Sequence, residues 1–123
     1  MVGQKIFYNH KTNIMTFEEY QKLSKQTAFY PEGIKPFVYI ALGLAGESGE
    51  VVEKIKHIVR DKNGLISQED KEGVIKELGD LLWYLTQLSG EFGSSLEEVA
   101  SLNIEKLFSR KERGALRGRG DNR

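Results

Sequence analysis

Residues 43–54 read GLAGESGEVVEK and residues 73–84 read GVIKELGDLLWY, and each stretch carries two acids three positions apart with glycine before the second. The acids flanking that glycine motif are Glu47 and Glu50 in the first stretch, Glu77 and Asp80 in the second. On a helix turning about 100° per residue, the members of each pair lie about 60° apart and share one side. Apolar positions recur at helical spacing around both: Ile40, Leu44, Val51, Ile55 and Ile58, then Val74, Leu78, Leu81, Leu85 and Leu88. Each stripe is centred to one side of the first acid and away from the second, so the pairs sit at the edge of a buried face, where solvated charge runs seldom lie. Between the two helices, Asp61 to Ile66 holds Asn63 and Gly64, a turn signal. The midpoint of the first pair falls 15.5 residues before Gly64 and that of the second 14.5 residues after it. At about 1.5 Å per residue, an antiparallel hairpin brings the pairs level to within about 1.5 Å, roughly 22 Å from the turn.

Outward from this hairpin, the breakers cut the chain into two further helices. Thr16 and Glu19 form a capping box that opens a first helix fading near Ala28. The second helix is expected from about Phe37, after Pro36, to about Arg60, and the third from Ser67, as N-cap, to about Phe92 with Gly93 as C-cap. Ser95 and Glu98 make another capping box ahead of a fourth helix, Leu96 to about Ser109. No strand pattern appears, and the expected fold class is all-α: a four-helix bundle built on an antiparallel helical hairpin. The expected organisation is an N-terminal extension over 1–15, one domain over 16–110 and a flexible basic tail over 111–123.

Composition removes most other chemistry. The 123 residues contain no Cys, which excludes disulfides, thiolate nucleophiles and cysteine-ligated metals, and the two histidines, His10 and His57, stand too far apart for a two-histidine zinc helix. Eighteen basic and eighteen acidic residues balance, so nucleic acid is not an expected partner. From Arg110 to Arg123, however, six basic residues face two acids, leaving the tail at +4 and the remainder at −4. No run is long and apolar enough to span a bilayer and no secretory h-region opens the chain, so a cytoplasmic, membrane-free protein is expected.

Four carboxylates level across one hairpin require a reason, because mutual repulsion raises their pKa values and makes them titrate as a unit. A divalent cation removes that conflict. Oxygen-only donors select a hard ion, Mg²⁺ first and Mn²⁺ as its substitute, and the absence of Glu-x-x-His on either helix speaks against a di-iron bundle. Mg²⁺ is commonly held by a few carboxylates together with substrate phosphates, so a phosphate anhydride is the expected substrate. Gly43, Gly46, Gly49, Gly73 and Gly79 all fall inside the two helices, around the acids, at about 1 kcal/mol each relative to Ala, which implies a need for space. A single hairpin with two shorter helices buries its surface poorly at this length, so association into a homodimer or homotetramer is expected.

The spacing Glu47-x-x-Glu50, 26 intervening residues, then Glu77-x-x-Asp80 resembles the motif of the MazG-like, all-α nucleoside triphosphate pyrophosphohydrolases. Residues 43–50, 77–84 and 103–110 (NIEKLFSR) are similar to three blocks of that family, and the resemblance covers roughly Thr16 to Gly114. It implies Mg²⁺-dependent cleavage of a nucleoside triphosphate between the α and β phosphates by a metal-activated water, as nucleotide-pool housekeeping. By the same resemblance Glu47, Glu50, Glu77 and Asp80 are the metal ligands and catalytic acids, while Asn103, Lys106 and Arg110 contact sugar or phosphates. Lys54, nearly aligned with Glu47, is a further phosphate candidate or an intrahelical ion pair, and Trp83 and Tyr84 flank Asp80 where a base can stack. Two rival readings stand beside this one: a non-catalytic helical interaction module, and a hydrolase of another pyrophosphate-containing nucleotide. Base and sugar preference, the number of metal ions and the identity of the water-activating carboxylate are left open by the residues.

Overall fold

The computed structural model describes residues 14–123, so His10 and nearly all of the expected extension over 1–15 lie outside the described residues. Four helices follow in order: α1 (Phe17–Lys25), α2 (Pro36–Lys62), α3 (Gln68–Glu91) and α4 (Leu96–Glu112). The fold class is all-α, with no strand among the described residues. None of these helices is long and apolar enough to cross a membrane.

Local chemistry sets the boundaries. Thr16 Oγ1 accepts from the Glu19 amide at 3.2 Å while Glu19 Oε2 accepts from the Thr16 amide at 2.8 Å, which completes the expected box at α1. Helix α1 stops at Lys25, before Ala28, because Thr27 turns its hydroxyl onto the Ser24 carbonyl at 2.7 Å. Helix α2 begins at Pro36 and runs two residues past Arg60, until Asn63 (φ 51°) and Gly64 (φ 77°) take left-handed conformations. The Gly64 amide then donates back to the Ile58 carbonyl at 3.1 Å.

Ser67 caps α3 in a full capping box with Asp70, and Lys62 Nζ reaches across the turn to both Asp70 oxygens at 2.8 Å. The Ser95–Glu98 box is only half formed. Ser95 Oγ accepts from the Glu98 amide at 3.1 Å, but the Glu98 carboxylate accepts instead from the Ser94 hydroxyl at 2.7 Å, a nearer donor than the Ser95 amide. Helix α4 extends to Glu112, three residues beyond the expected end, since nothing before Gly114 forces a positive φ.

The long pair α2–α3 is the frame, and α1 lies on α3 and α4. At the open end Phe37 meets Phe92 edge-on at 6.2 Å, which locks the start of α2 against the end of α3. Helix α1 and the turn that follows it are tied to α3 by polar bonds: Trp83 Nε1 donates to Thr27 Oγ1 at 2.8 Å and buried Gln87 Nε2 to Ser24 Oγ at 3.0 Å. Among described apolar side chains only Ile40, Ile58 and Leu96 are buried, whereas Ile55, Leu78 and Leu85 of the expected stripes remain exposed.

Lys62 and the Ser67 amide and hydroxyl hold the Asp70 carboxyl down at about 2, with the Lys62 bond the largest cause. A carboxyl depressed in the folded chain contributes stability above its unfolded pKa and loses it as pH falls through the folded value. The turn therefore weakens between about pH 4 and pH 2. Thermal melts of wild type and Asp70→Asn are expected to differ at pH 6 and to converge at pH 2; a constant difference would show that Asp70 acts through packing.

Candidate metal and substrate site

The hairpin places Glu47 on α2 opposite Glu77 and Asp80 on α3, and these three each offer a carboxylate oxygen within 4.8 Å of the others. In an octahedron with 2.0–2.1 Å bonds neighbouring ligand oxygens are about 3.0 Å apart, so oxygens up to 4.8 Å apart close by up to about 1.8 Å around a hard cation. The all-oxygen donor set suits Mg²⁺ or Mn²⁺. Burial first, then Asp80, Glu77 and Glu50, raise the Glu47 carboxyl above its ordinary value. Glu50 lies outside the trio: its side chain is exposed one turn further along α2, although Glu47 still feels its charge.

Lys54 extends across to α3 and sets Nζ 3.3 Å from Glu77 Oε1. Its stem lies over Gly73, where an added methyl would meet Lys54 Cδ at 3.4 Å. The ion pair of Lys54 therefore runs between helices, to α3, and not within α2 as one of its two expected alternatives had it. Towards the turn, Lys54 and Glu77 open onto a groove of about 410 Å³ whose walls include His57, Lys62, Glu72 and Lys76. His57 itself is engaged in surface pairs with Glu53 at 3.1 Å and Asp61 at 3.2 Å.

On the other side, Glu47, Asp80, Trp83 and Tyr84 line an opening of about 360 Å³. Tyr84 lies directly over the Gly43 backbone, where a side chain at 43 would overlap its ring. Here the expected need for space is explicit, whereas a methyl at Gly46, Gly49 or Gly79 would meet nothing within 4 Å. Burial, then Tyr39, Glu47 and Asp80, push the Tyr84 hydroxyl pKa up. Trp83 stands edge-on to Tyr84 at 5.0 Å with its N–H held by Thr27, so the indole is anchored to the α1–α3 contact.

Tyr20 is a residue to which the sequence reading gave no role at the site. Burial and then the Asp80 charge raise its hydroxyl pKa, which places α1 within electrostatic reach of the trio. No spacing signal in α1 distinguishes Tyr20 from an ordinary apolar-face position.

Helix α4 packs on α1 and α3 and makes no contact with α2, and the described partners of Lys106 and Arg110 lie in residues 120–121 and not in the trio. Asn103 is exposed. Lys106 Nζ stands 3.6 Å from Asp121 Oδ1, and Arg110 is 4% exposed beneath residues 114–123.

The family model described as MazG nucleotide pyrophosphohydrolase domain matches residues 38–114, a span holding the trio, Glu50 and the α4 block. The Gene 37 protein of Mycobacterium phage L5 is 42% identical over 114 residues, covering 89% of this chain and all of that relative. No solved structure matches.

Proposed function

The chain belongs to the MazG nucleotide pyrophosphohydrolase family, and from that premise we propose that it hydrolyses a ribo- or deoxyribonucleoside triphosphate to the monophosphate and pyrophosphate. The observation that carries this reading is the convergence of Glu47, Glu77 and Asp80 from two helices inside the matched span. These three carboxylates are the proposed Mg²⁺ ligands, with Glu50 one turn away as the fourth acid. When bound, the ion would neutralise charge on the polyphosphate and acidify the attacking water. Glu50, exposed and outside the trio, is the proposed proton acceptor or the last member of the donor set once substrate orders the site. Lys54, released from Glu77, supplies a compact positive charge to the phosphates. Tyr84, with Trp83 behind it, offers an aromatic surface for the base beside the acids.

Asn103, Lys106 and Arg110 are proposed phosphate and sugar contacts. Within one chain α4 does not reach α2, the helix of Glu47 and Glu50, and the proposed meeting of this block with those acids is across a homodimer or homotetramer. The exposed Ile55, Leu78 and Leu85 stripe supports such assembly. Nucleotide-pool housekeeping in the cytoplasm is the corresponding role, with no membrane or nucleic-acid partner. The proposed boundaries are a domain over 16–110, an extension before it and a basic segment after it.

Incubation with the eight common triphosphates and Mg²⁺, with pyrophosphate and orthophosphate quantified separately, tests the reaction. Equimolar pyrophosphate and monophosphate are expected. Orthophosphate with a diphosphate would reject the assigned cleavage, and no product at all would favour another diphosphate substrate or the interaction module.

Gly43→Ala separates the aromatic contact from the chemistry. Helix propensity improves by about 1 kcal/mol, which offsets the displacement of the Tyr84 ring, so the melting temperature should change by only a few degrees. KM for the triphosphate should rise about 5-fold or more with kcat nearly unchanged, by the logic of lost uniform binding. An unchanged KM would remove Tyr84 from the substrate site.

A further inference from the structure

Beyond α4 the chain folds back on the helix. Gly114 (φ 66°), Gly118 (φ 125°) and Gly120 (φ 82°) provide the positive φ values that reverse its direction. The Ala115 amide donates to the Arg110 carbonyl at 2.7 Å, and Arg123 Nη1 donates to the Gly120 carbonyl at 2.7 Å. Residues 114–123 therefore form a strap over the face of α4 that carries Lys106 and Arg110, one turn apart.

The strap supplies oxygen acceptors to both cations. Arg110 Nη2 donates to the Asp121 carbonyl at 2.9 Å and to the Gly120 carbonyl at 3.4 Å. The Asp121 carboxylate stands 3.5 Å from Arg110 and 3.6 Å from Lys106. These partners fit a guanidinium poorly, because one nitrogen takes both carbonyls while Arg110 Nε is buried with no partner. An oxyanion with two free oxygens would engage Nε and Nη2 together, as bidentate arginine–phosphate pairs do, and would pair with Lys106 as well. The Asp121 carboxylate is 88% exposed, so its pairing is weak and readily exchanged.

We propose that residues 114–123 are an autoinhibitory strap, in which Asp121 and the Gly120 and Asp121 carbonyls occupy the oxyanion seat of Lys106 and Arg110 until a polyphosphate displaces them. The identity of that polyphosphate as a nucleoside triphosphate rests on the function proposed above; the seat and its competitor do not. Displacement exchanges hydrogen bonds and breaks no covalent bond.

Asp121→Asn removes the competing charge, and Gly120→Val places a β-branched residue at φ 82°, which disfavours the strap without touching the helices. Inorganic pyrophosphate is titrated calorimetrically into the full chain without divalent metal, so the acid trio takes no part. Pyrophosphate should bind about 2- to 5-fold tighter to Asp121→Asn, the equivalent of a surface ion pair, and about 3- to 10-fold tighter to Gly120→Val, the equivalent of one ordinary hydrogen bond. Adding Lys106→Met should erase both gains, and in wild type pyrophosphate should speed hydrogen exchange at residues 114–123. Equal or weaker binding in both variants, or unchanged exchange, overturns the strap. Triphosphate hydrolysis in the same variants should show KM lowered by the same factors with kcat unchanged. Tighter pyrophosphate binding with no hydrolysis in any form leaves the strap standing and rejects the assigned reaction.

Discussion

Asp80→Asn is expected to lower pyrophosphate release by about 10²- to 10³-fold, a loss on the scale of removing one preorganised charge contact from a transition state. The melting temperature of the metal-free protein should stay level or rise slightly. The first effect follows from replacing one of three convergent anionic oxygens with a neutral amide. The second follows from the electrostatics of the trio. Glu47 has its carboxyl raised by burial and next by Asp80, Glu77 and Glu50. A carboxyl raised in the folded state holds its proton more tightly there, so folding loses stability as pH climbs through the folded value. At neutral pH the cluster opposes folding, and removing the Asp80 charge relieves it. Glu77→Gln is a less clean test, because it also releases Lys54 from its 3.3 Å pair. Turnover within 10-fold of wild type would exclude the trio as the reacting centre, while a fall of many degrees would make Asp80 a structural residue.

What the sequence revealed correctly was local or periodic. Capping chemistry at Thr16 and Ser67, the left-handed turn at Asn63–Gly64 and the equal heights of Glu47 and Glu77–Asp80 follow from helix geometry alone. Other features depend on which way a helix is rolled against its neighbour. Two acids about 60° apart cannot both face one partner helix squarely, and the packing turns Glu47 inward while Glu50 remains exposed. Trp83 and Tyr84 are adjacent in sequence, yet one is tied to Thr27 and the other lies over Gly43, a division set by α1 and α2 together. Arg110 has the spacing of a phosphate contact, but its burial comes from a Gly- and Arg-rich segment with no periodicity from which a fold could be read. The helical glycines divide in the same way: Gly43 and Gly73 make room for Tyr84 and Lys54, while Gly46, Gly49 and Gly79 lie beside open space that no intrachain neighbour fills.

Withdrawing divalent metal is expected to abolish turnover and, separately, to lower stability. Three carboxylates share a region under 5 Å wide, and Lys54 offers them a single charge, from a side chain 40% exposed. A cation held only by the folded arrangement stabilises it by about 1.4–2.7 kcal/mol at 10–100 times its dissociation constant. For a domain of this length that corresponds to about 4–10 °C. Mg²⁺ should therefore raise the melting temperature of wild type by that amount, with Mn²⁺ able to replace it, and should leave Asp80→Asn nearly unmoved. Chelation should remove both the shift and the release of pyrophosphate, and re-addition should restore them together. Activity that survives chelation would mean that the trio holds no essential cation. A melting shift that persists in Asp80→Asn would place the cation elsewhere, since within the trio no other neutral substitution leaves Lys54 and Glu77 paired while removing an α3 ligand.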